Sequence, residues 1–386
     1  MKTIVSIVSE QTVPNYLFIK EMMEQDDELL FVTSNNMKMK EKINFIVAVA
    51  KIEAERTKTM ILENEKDFSS MCEQIVKEID PQKSYSVNLT GGTKLMSMAV
   101  KRAFDNSGAK NVEMYYIPFP DNKILNLNTG NEMDINCRLK VREYIELHGL
   151  TCSNPTNRDY HYAEKSKEFF DQFIEEDEAF HKNIRLLLKC QNDERISRKL
   201  KKSKKVTFTD LFENNKEEVI RENSERLKEF VRQIWGDTVQ EIGKEQLRFI
   251  TGGWFEYFIY DLVKESVAND DVVCGMNIWR QTEGKKEVPN ELDIVYMHDN
   301  RMYIIECKTG GIGANGGVSV NDIVYKGETI RKRLGLANNF VIVNASRIEN
   351  NQKENDMNDK AKQYGIRYFD REKIMNGELV RELNSI

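Results

Sequence analysis

Between Thr3 and Leu127, short apolar runs rich in β-branched residues alternate with segments of helical periodicity. This alternation constrains the fold more than any other feature. Thr3–Val8 reads as a strand and Pro14–Met23 as the helix after it. Leu29–Thr33 is a second strand. Lys40–Ala54 and Phe68–Ile79 carry helical spacing. Tyr85–Leu89 is a strand that runs into Thr90-Gly91-Gly92-Thr93, and Lys94–Phe104 returns to helix. Val112–Ile117 is a further strand, with Ile124–Leu127 placed to pair beside it. Parallel strands need long crossover connections, so this order implies a mostly parallel sheet with helices on both faces, a Rossmann-like domain. The dinucleotide fingerprint GxGxxG and the phosphate-loop pattern GxxxxGK[ST] are both absent.

The character changes twice more along the chain. From about residue 138 to 250 the sequence is rich in Glu, Lys, Leu and Phe and reads as long helices. Pro155 and its polar neighbours read as a linker. Arg195–Lys205 carries seven basic residues in eleven. Beyond that lie an amphipathic helix at Leu247–Val267 and three strands at Val272–Arg280, Glu291–Met297 and Met302–Cys307. A helix at Asn321–Arg333, a strand at Phe340–Val343 and a helix at Asn355–Tyr364 follow. His298-Asp299-Asn300 forms a tight turn that makes the second and third strands a hairpin. The 386 residues allow two or three domains at roughly 150 residues each. We divide the chain into residues 1–145, 146–245 and 246–386.

Bulk properties exclude several classes. No run approaches the ~18 apolar residues of a membrane span, and the N-terminus is too soon polar for a signal peptide. The six cysteines form no CxxC pair and the four histidines are scattered, so neither a disulfide framework nor a zinc site is expected. A cytoplasmic location follows by default. A net charge of −6 argues against a generally basic nucleic-acid coat, though not against a local basic groove.

The chemistry concentrates in the hairpin. Alternating side chains put Glu306 and Lys308 on one face of the last strand, and Asp293 can meet Glu306 across the pair. Leu292 and Ile294 should face the other way. Two close carboxylates repel unless a cation lies between them. Mg²⁺ or Mn²⁺ resolves the repulsion and can activate a water toward a phosphodiester. Lys308 then stabilises the developing negative charge, and the Cys307 carbonyl can also face the metal. This Asp…Glu-x-Lys hairpin resembles the PD-(D/E)xK nuclease superfamily, whose core has the same element order. The resemblance implies a further metal-shell role for Glu256 on the preceding helix, and Glu291 is a supporting carboxylate. A second Glu-x-Lys, at Glu283-Gly284-Lys285, sits in a polar turn without strand context and is taken as a decoy. Trp254, Phe258 and Leu262 fall at helical spacing and read as core. Lys326, Arg331, Lys332 and Arg333 follow as phosphate-contact or solvent-facing residues.

Two loops mark a second site. Ser9, Gln11, Thr12, Val13, Pro14 and Asn15 follow the first strand, and Thr90, Gly91, Gly92, Thr93, Lys94 and Met96 follow another. Thr33 and Ser34 close a third strand. Ligands bind at this edge of an open parallel sheet, paired glycines allow close backbone approach, and a helix N-terminus receives phosphate. The segments SEQTVPN, NLTGGTKLMSMAV and EMYYIP resemble the CARF domain, the sensor of type III CRISPR defence. Combined with TGGWFE, ELDIVY and YIIECK, they are similar to the CARF-fused nucleases of the Card and Can type. That resemblance implies a homodimer activated by cyclic oligoadenylate, most often cyclic tetra-adenylate. It also implies Mn²⁺- or Mg²⁺-dependent cleavage of single-stranded RNA or DNA, or nicking of plasmid DNA, in antiviral defence. The alternatives are a constitutive restriction- or repair-type nuclease and a CARF-type regulator that binds nucleic acid without cutting it. The Gly-rich run Gly310–Gly317 is a departure from the family pattern and leaves substrate choice open.

Overall fold

A computed structural model describes residues 1–119, 121–154, 160–267, 271–282, 285–309, 320–335, 338–346 and 358–385. The first sheet holds β1 (Thr3–Ile7), β2 (Glu28–Ser34), β3 (Thr57–Leu62), β4 (Ser84–Asn88), β5 (Asn111–Tyr116), β6 (Lys123–Asn126) and β7 (Glu132–Asp134). Their spatial order is β3-β2-β1-β4-β5-β6-β7. The first five are parallel, and β6 and β7 return antiparallel. The strand order reverses between β1 and β4, so the crevice at their C-terminal ends is the topological switch point. The two loops singled out by sequence both open there.

Sequence reading missed β3. Its residues are largely polar or half-exposed, because β3 is the sheet's edge. The helix expected over Lys40–Ala54 is present but shorter, Lys42–Ala50, and a separate short helix, Asn35–Met39, precedes it. Lys51, left-handed at φ 56, ends the second.

The second sheet has the order β17-β16-β15-β14-β11-β8. β8 (Thr151–Cys152) is its edge, pairing with β11 (Val272–Trp279). β9 (Lys205–Thr207) and β10 (Glu241–Gly243) pair separately within the helical middle, and β12 (Gln281–Thr282) pairs with β13 (Lys285–Lys286). β14 (Asn290–His298) and β15 (Arg301–Lys308) form the expected hairpin, and β16 (Asn338–Asn344) and β17 (Arg367–Phe369) add in parallel. Asp299 (φ 44) and Asn300 (φ 62) supply the two left-handed residues of the hairpin turn. The helix expected across Leu247–Val267 is broken. Lys244–Arg248 and Trp254–Ser266 are joined by a wide turn, Phe249–Gly253, with Gly252 outside helical geometry. Trp254 is fully buried, Phe258 stacks on Phe170 at 4.0 Å, and Leu262 packs against the same core.

The two sheets are not independently packed. One buried apolar cluster takes Ile4, Leu29 and Phe31 from the first sheet, Tyr144 and Ile145 from the helix Val141–Leu147, and Leu292, Ile304 and Ile342 from the second. Ile323 and Ile330 of the helix Val320–Arg333 complete it. Burial of apolar surface is thus shared across the junction, at roughly 25 cal/mol per Å², and the halves cannot separate without exposing it. Polar contacts fix the register. Asn300 Nδ2 donates to Asn122 Oδ1 (2.6 Å) and to the Cys137 carbonyl (3.0 Å), and its Oδ1 accepts from the Leu139 amide (2.8 Å). The hairpin turn is therefore pinned to the first domain.

Candidate functional site

The hairpin brings together the expected residues. Glu306 is almost fully buried and Asp293 nearly so. Asp293 Oδ2 accepts from the Cys307 amide at 2.8 Å, which ties the carboxylate to the neighbouring strand. Burial, then the nearby Glu306 and Glu256, push the Asp293 carboxyl well above its usual range, against the opposing pull of Lys308 and Lys326. Lys308 Nζ donates to Glu306 Oε1 at 2.5 Å. Burial alone would lower the Lys308 ammonium, but Glu306 and Asp293 outweigh it and hold its pKa above normal. Lys326 Nζ reaches both oxygens of Glu306, at 2.7 and 2.8 Å.

Simple alternation does not survive at Asp293. Leu292 packs in the core shared with the first domain, whereas Ile294 packs in the core under the helix Trp254–Ser266. β11 switches at the same level, Cys274 to one core and Met276 to the other, around Gly275 at φ 66. The twist explains how Asp293 lies within electrostatic reach of Glu306 and also of Glu256, which projects from that helix. Sequence spacing missed a further residue. Arg248 Nη2 donates to Glu291 Oε1 (2.6 Å) and Glu256 Oε2 (3.2 Å), bridging the two supporting carboxylates. No helical spacing points to it, because the wide turn Phe249–Gly253 interrupts the helix between Arg248 and Glu256.

Among the described residues, no three His, Cys, Asp or Glu side chains converge as a metal cage. The donor set still fits a hard divalent ion. Such ions commonly take one or two carboxylates and complete their shell with water and phosphate oxygens. Asp293 and Glu306 form such a mutually repelling pair. Of the other basic residues, Arg331 donates to the Tyr364 carbonyl, Lys332 lies 3.6 Å from Glu328 and Arg333 3.1 Å from Glu287. Glu283, Gly284 and Gly310–Gly317 lie outside the described residues.

At the sheet edge, the candidates divide. Ser9, Gln11, Thr90 and Gly92 are half-buried, and Thr93 and Lys94 are exposed. Thr12, Val13, Pro14, Asn15, Thr33, Ser34 and Met96 are buried. Thr12 Oγ1 donates to the Leu147 carbonyl (2.6 Å), and Asn15 Nδ2 donates to Ser6 Oγ and the Ile7 carbonyl. Thr93 caps its helix by accepting from the Met96 amide. Gly91 is dictated by closeness: a Cβ there would lie 1.8 Å from the Ile7 carbonyl oxygen. Gly92 adopts φ 76. A cleft of about 500 Å³ lies beside this edge, between Glu10, Gln11 and Lys42 on one side and Arg280, Lys332 and Arg333 on the other. His148 lines it.

A sensor-type parallel sheet, opening at its switch point and sharing a core with an Asp…Glu-x-Lys hairpin sheet, defines a two-part protein with a CARF domain and an endonuclease domain. Family models agree: the Card1 CARF domain matches residues 3–144, and the Card1-like endonuclease domain matches residues 243–382. The chain belongs to the CARF–endonuclease fusions of this Card1 type. No curated protein matches it. Among solved structures, protein VC1899 from Vibrio cholerae is similar over 100% of this chain and 96% of its own, with 16% identity and TM-score 0.72. Can2 from Sulfobacillus thermosulfidooxidans, solved with cyclic tetra-adenylate, is similar over the full length of both chains, with 18% identity and TM-score 0.71. A type III CRISPR defence DNA nuclease activated by cyclic oligoadenylate is similar over 89% of this chain and 45% of its own, with 15% identity and TM-score 0.52.

Proposed function

We propose that the protein is a nuclease of type III CRISPR defence, switched on by a cyclic oligoadenylate, with cyclic tetra-adenylate the expected activator. It acts as a homodimer on single-stranded RNA or DNA or nicks plasmid DNA, with Mn²⁺ or Mg²⁺. The observation that carries this reading is the buried Asp293/Glu306 pair beside Lys308, on a hairpin pinned to the sensor domain.

In this reading Asp293 and Glu306 hold the divalent ion, with the Cys307 carbonyl and Glu256 as further donors. The ion supplies Lewis-acid polarisation and an activated water. Glu306 keeps Lys308 charged, and Lys308 offers that charge to the reacting phosphate. Arg248 orients Glu256 and Glu291 through its two bonds. At the sensor edge, Ser9, Gln11, Thr90, Thr93 and Lys94 meet the activator. The buried Thr12, Val13, Pro14, Asn15, Thr33 and Met96 act beneath them by fixing the loops, and Gly91 and Gly92 let backbone approach. A closed two-fold dimer would present equal loops to the two halves of a ring with matching symmetry. Supporting this reading are the family models for both halves and the likeness to Can2, whose structure contains cyclic tetra-adenylate.

The test incubates purified protein with labelled single-stranded RNA, single-stranded DNA and supercoiled plasmid, with Mn²⁺, adding each cyclic oligoadenylate in turn. Cleavage that appears only with one ring supports the proposal. Equal cleavage without any ring favours a constitutive nuclease, and nucleic-acid binding without cleavage favours a regulator.

A further inference from the structure

Glu306 carries two ammonium groups, and they are not equivalent. Lys308 is two residues away on the same strand and touches Oε1 only. Lys326 comes from the helix Val320–Arg333, spans both oxygens, and is the more exposed of the two side chains, 34% against 23%. Those oxygens are the ones a divalent ion would need. An ion binding there has to displace Lys326, or share a carboxylate with it at the cost of cation–cation repulsion.

The placement of this helix is built into the sequence beside Lys326. A Cβ on Gly327 would come within 2.9 Å of the Phe340 ring on β16, so only glycine lets the helix lie this close to the sheet. The far end of the helix reaches the sensor. The Leu334 carbonyl accepts from Tyr144 Oη at 2.9 Å, inside the shared core. Gly335, at φ 76, has so little clearance that a Cβ would fall 2.6 Å from His148 Nε2 and 2.7 Å from Gln11 Oε1. This helix therefore touches the metal-site carboxylate from its middle, and Gly335, two residues past its end, lies against the Ser9–Asn15 loop.

We propose that Lys326 competes with the divalent ion for Glu306, and that the activator, acting on the Gln11 loop, loosens this hold through the helix. This rests on the metal-site reading above and adds its regulation. Binding linkage requires reciprocity: if activator tightens ion binding, the ion tightens activator binding by the same factor.

The experiment measures Mn²⁺ affinity of the full-length protein by calorimetry and by electron paramagnetic resonance of free Mn²⁺, with and without cyclic tetra-adenylate. Lys326→Met should bind Mn²⁺ about tenfold more tightly than wild type without activator, the order expected when one charge-assisted contact no longer has to be broken. Lys326→Arg, which keeps the charge, should stay near wild type. Cyclic tetra-adenylate should tighten Mn²⁺ binding in wild type and add little in Lys326→Met. Lys326→Gln serves as a second neutral variant, and far-ultraviolet circular dichroism checks that each protein is folded. Neutral variants that bind Mn²⁺ no more tightly than wild type overturn the proposal while leaving the nuclease reading intact. A Glu306→Gln variant that still binds Mn²⁺ like wild type overturns the metal-site reading itself.

Discussion

His148 makes the junction between the domains sensitive to acid. It is 4% exposed, stacks on Tyr144 at 4.7 Å, and its Nδ1 bonds the Tyr144 carbonyl at 2.8 Å. Among the described residues, its buried Nε2 has no hydrogen-bond partner. Burial pushes its pKa down to about 4, the Tyr144 bond opposes this, and Lys42 adds to the depression. Gln11 and Gly335 approach from the loop and the nuclease helix, and Glu10, Arg280 and Arg333 line the same cleft. The folded value lies below the unfolded one of 6.5. The stabilisation is therefore complete above pH 6.5 and is lost as pH falls toward 4, because the unfolded chain takes up the proton first. At 1.36 kcal/mol per unit, lowering the pH from 7 to 5 removes about 2 kcal/mol. Urea unfolding at both pH values, for wild type and His148→Gln, isolates this contribution. The other three histidines and all carboxylates are common to both proteins and cancel. Wild type should lose about 2 kcal/mol more than the variant over that interval. Identical losses would refute a neutral buried imidazole at the junction.

Glu306→Gln should abolish cleavage and Lys308→Ala should slow it by about 10²-fold or more, both with activator binding retained by calorimetry. Glu283→Ala, in the second Glu-x-Lys, should cleave normally, and a dead Glu283 variant beside an active Glu306 variant would misplace the site. Lys94→Ala should weaken activator binding by roughly ten- to a hundredfold, with cleavage restored at high activator concentration; normal cleavage at limiting activator would reduce Lys94 to a surface lysine. Asn300→Gly keeps the left-handed turn but removes three bonds between the hairpin and the sensor domain, and should lower stability by about 1–3 kcal/mol in urea unfolding; an unchanged midpoint would mean that the pin contributes nothing.

Much of the architecture was legible because its causes are local. Alternating strand and helix signals gave the parallel sensor sheet, and the left-handed preference of Asp299-Asn300 closed the hairpin. Two-residue periodicity put Glu306 and Lys308 together. Gly91-Gly92 announced a close approach, and the Ile7 carbonyl is its partner. The edge strand β3 escaped because exposure dilutes its apolar pattern. Periodicity also assigned Leu292 and Ile294 to one face, and the left-handed Gly275 on the neighbouring strand marks where that rule fails.

Other features belong to the tertiary structure alone. An apolar pattern says which face is buried but not against what, so the core shared by the two sheets could not be read from sequence. The same holds for Arg248 between Glu256 and Glu291, Lys326 on Glu306, and Asn300 in the sensor domain. Each joins residues of different elements through charge or hydrogen bonds that carry no periodic signature. Sequence fixes the conformational preference of each segment, because φ/ψ bias and side-chain alternation act over a few residues. Which polar groups meet is decided only when packing brings the segments together and leaves each buried charge in need of a partner.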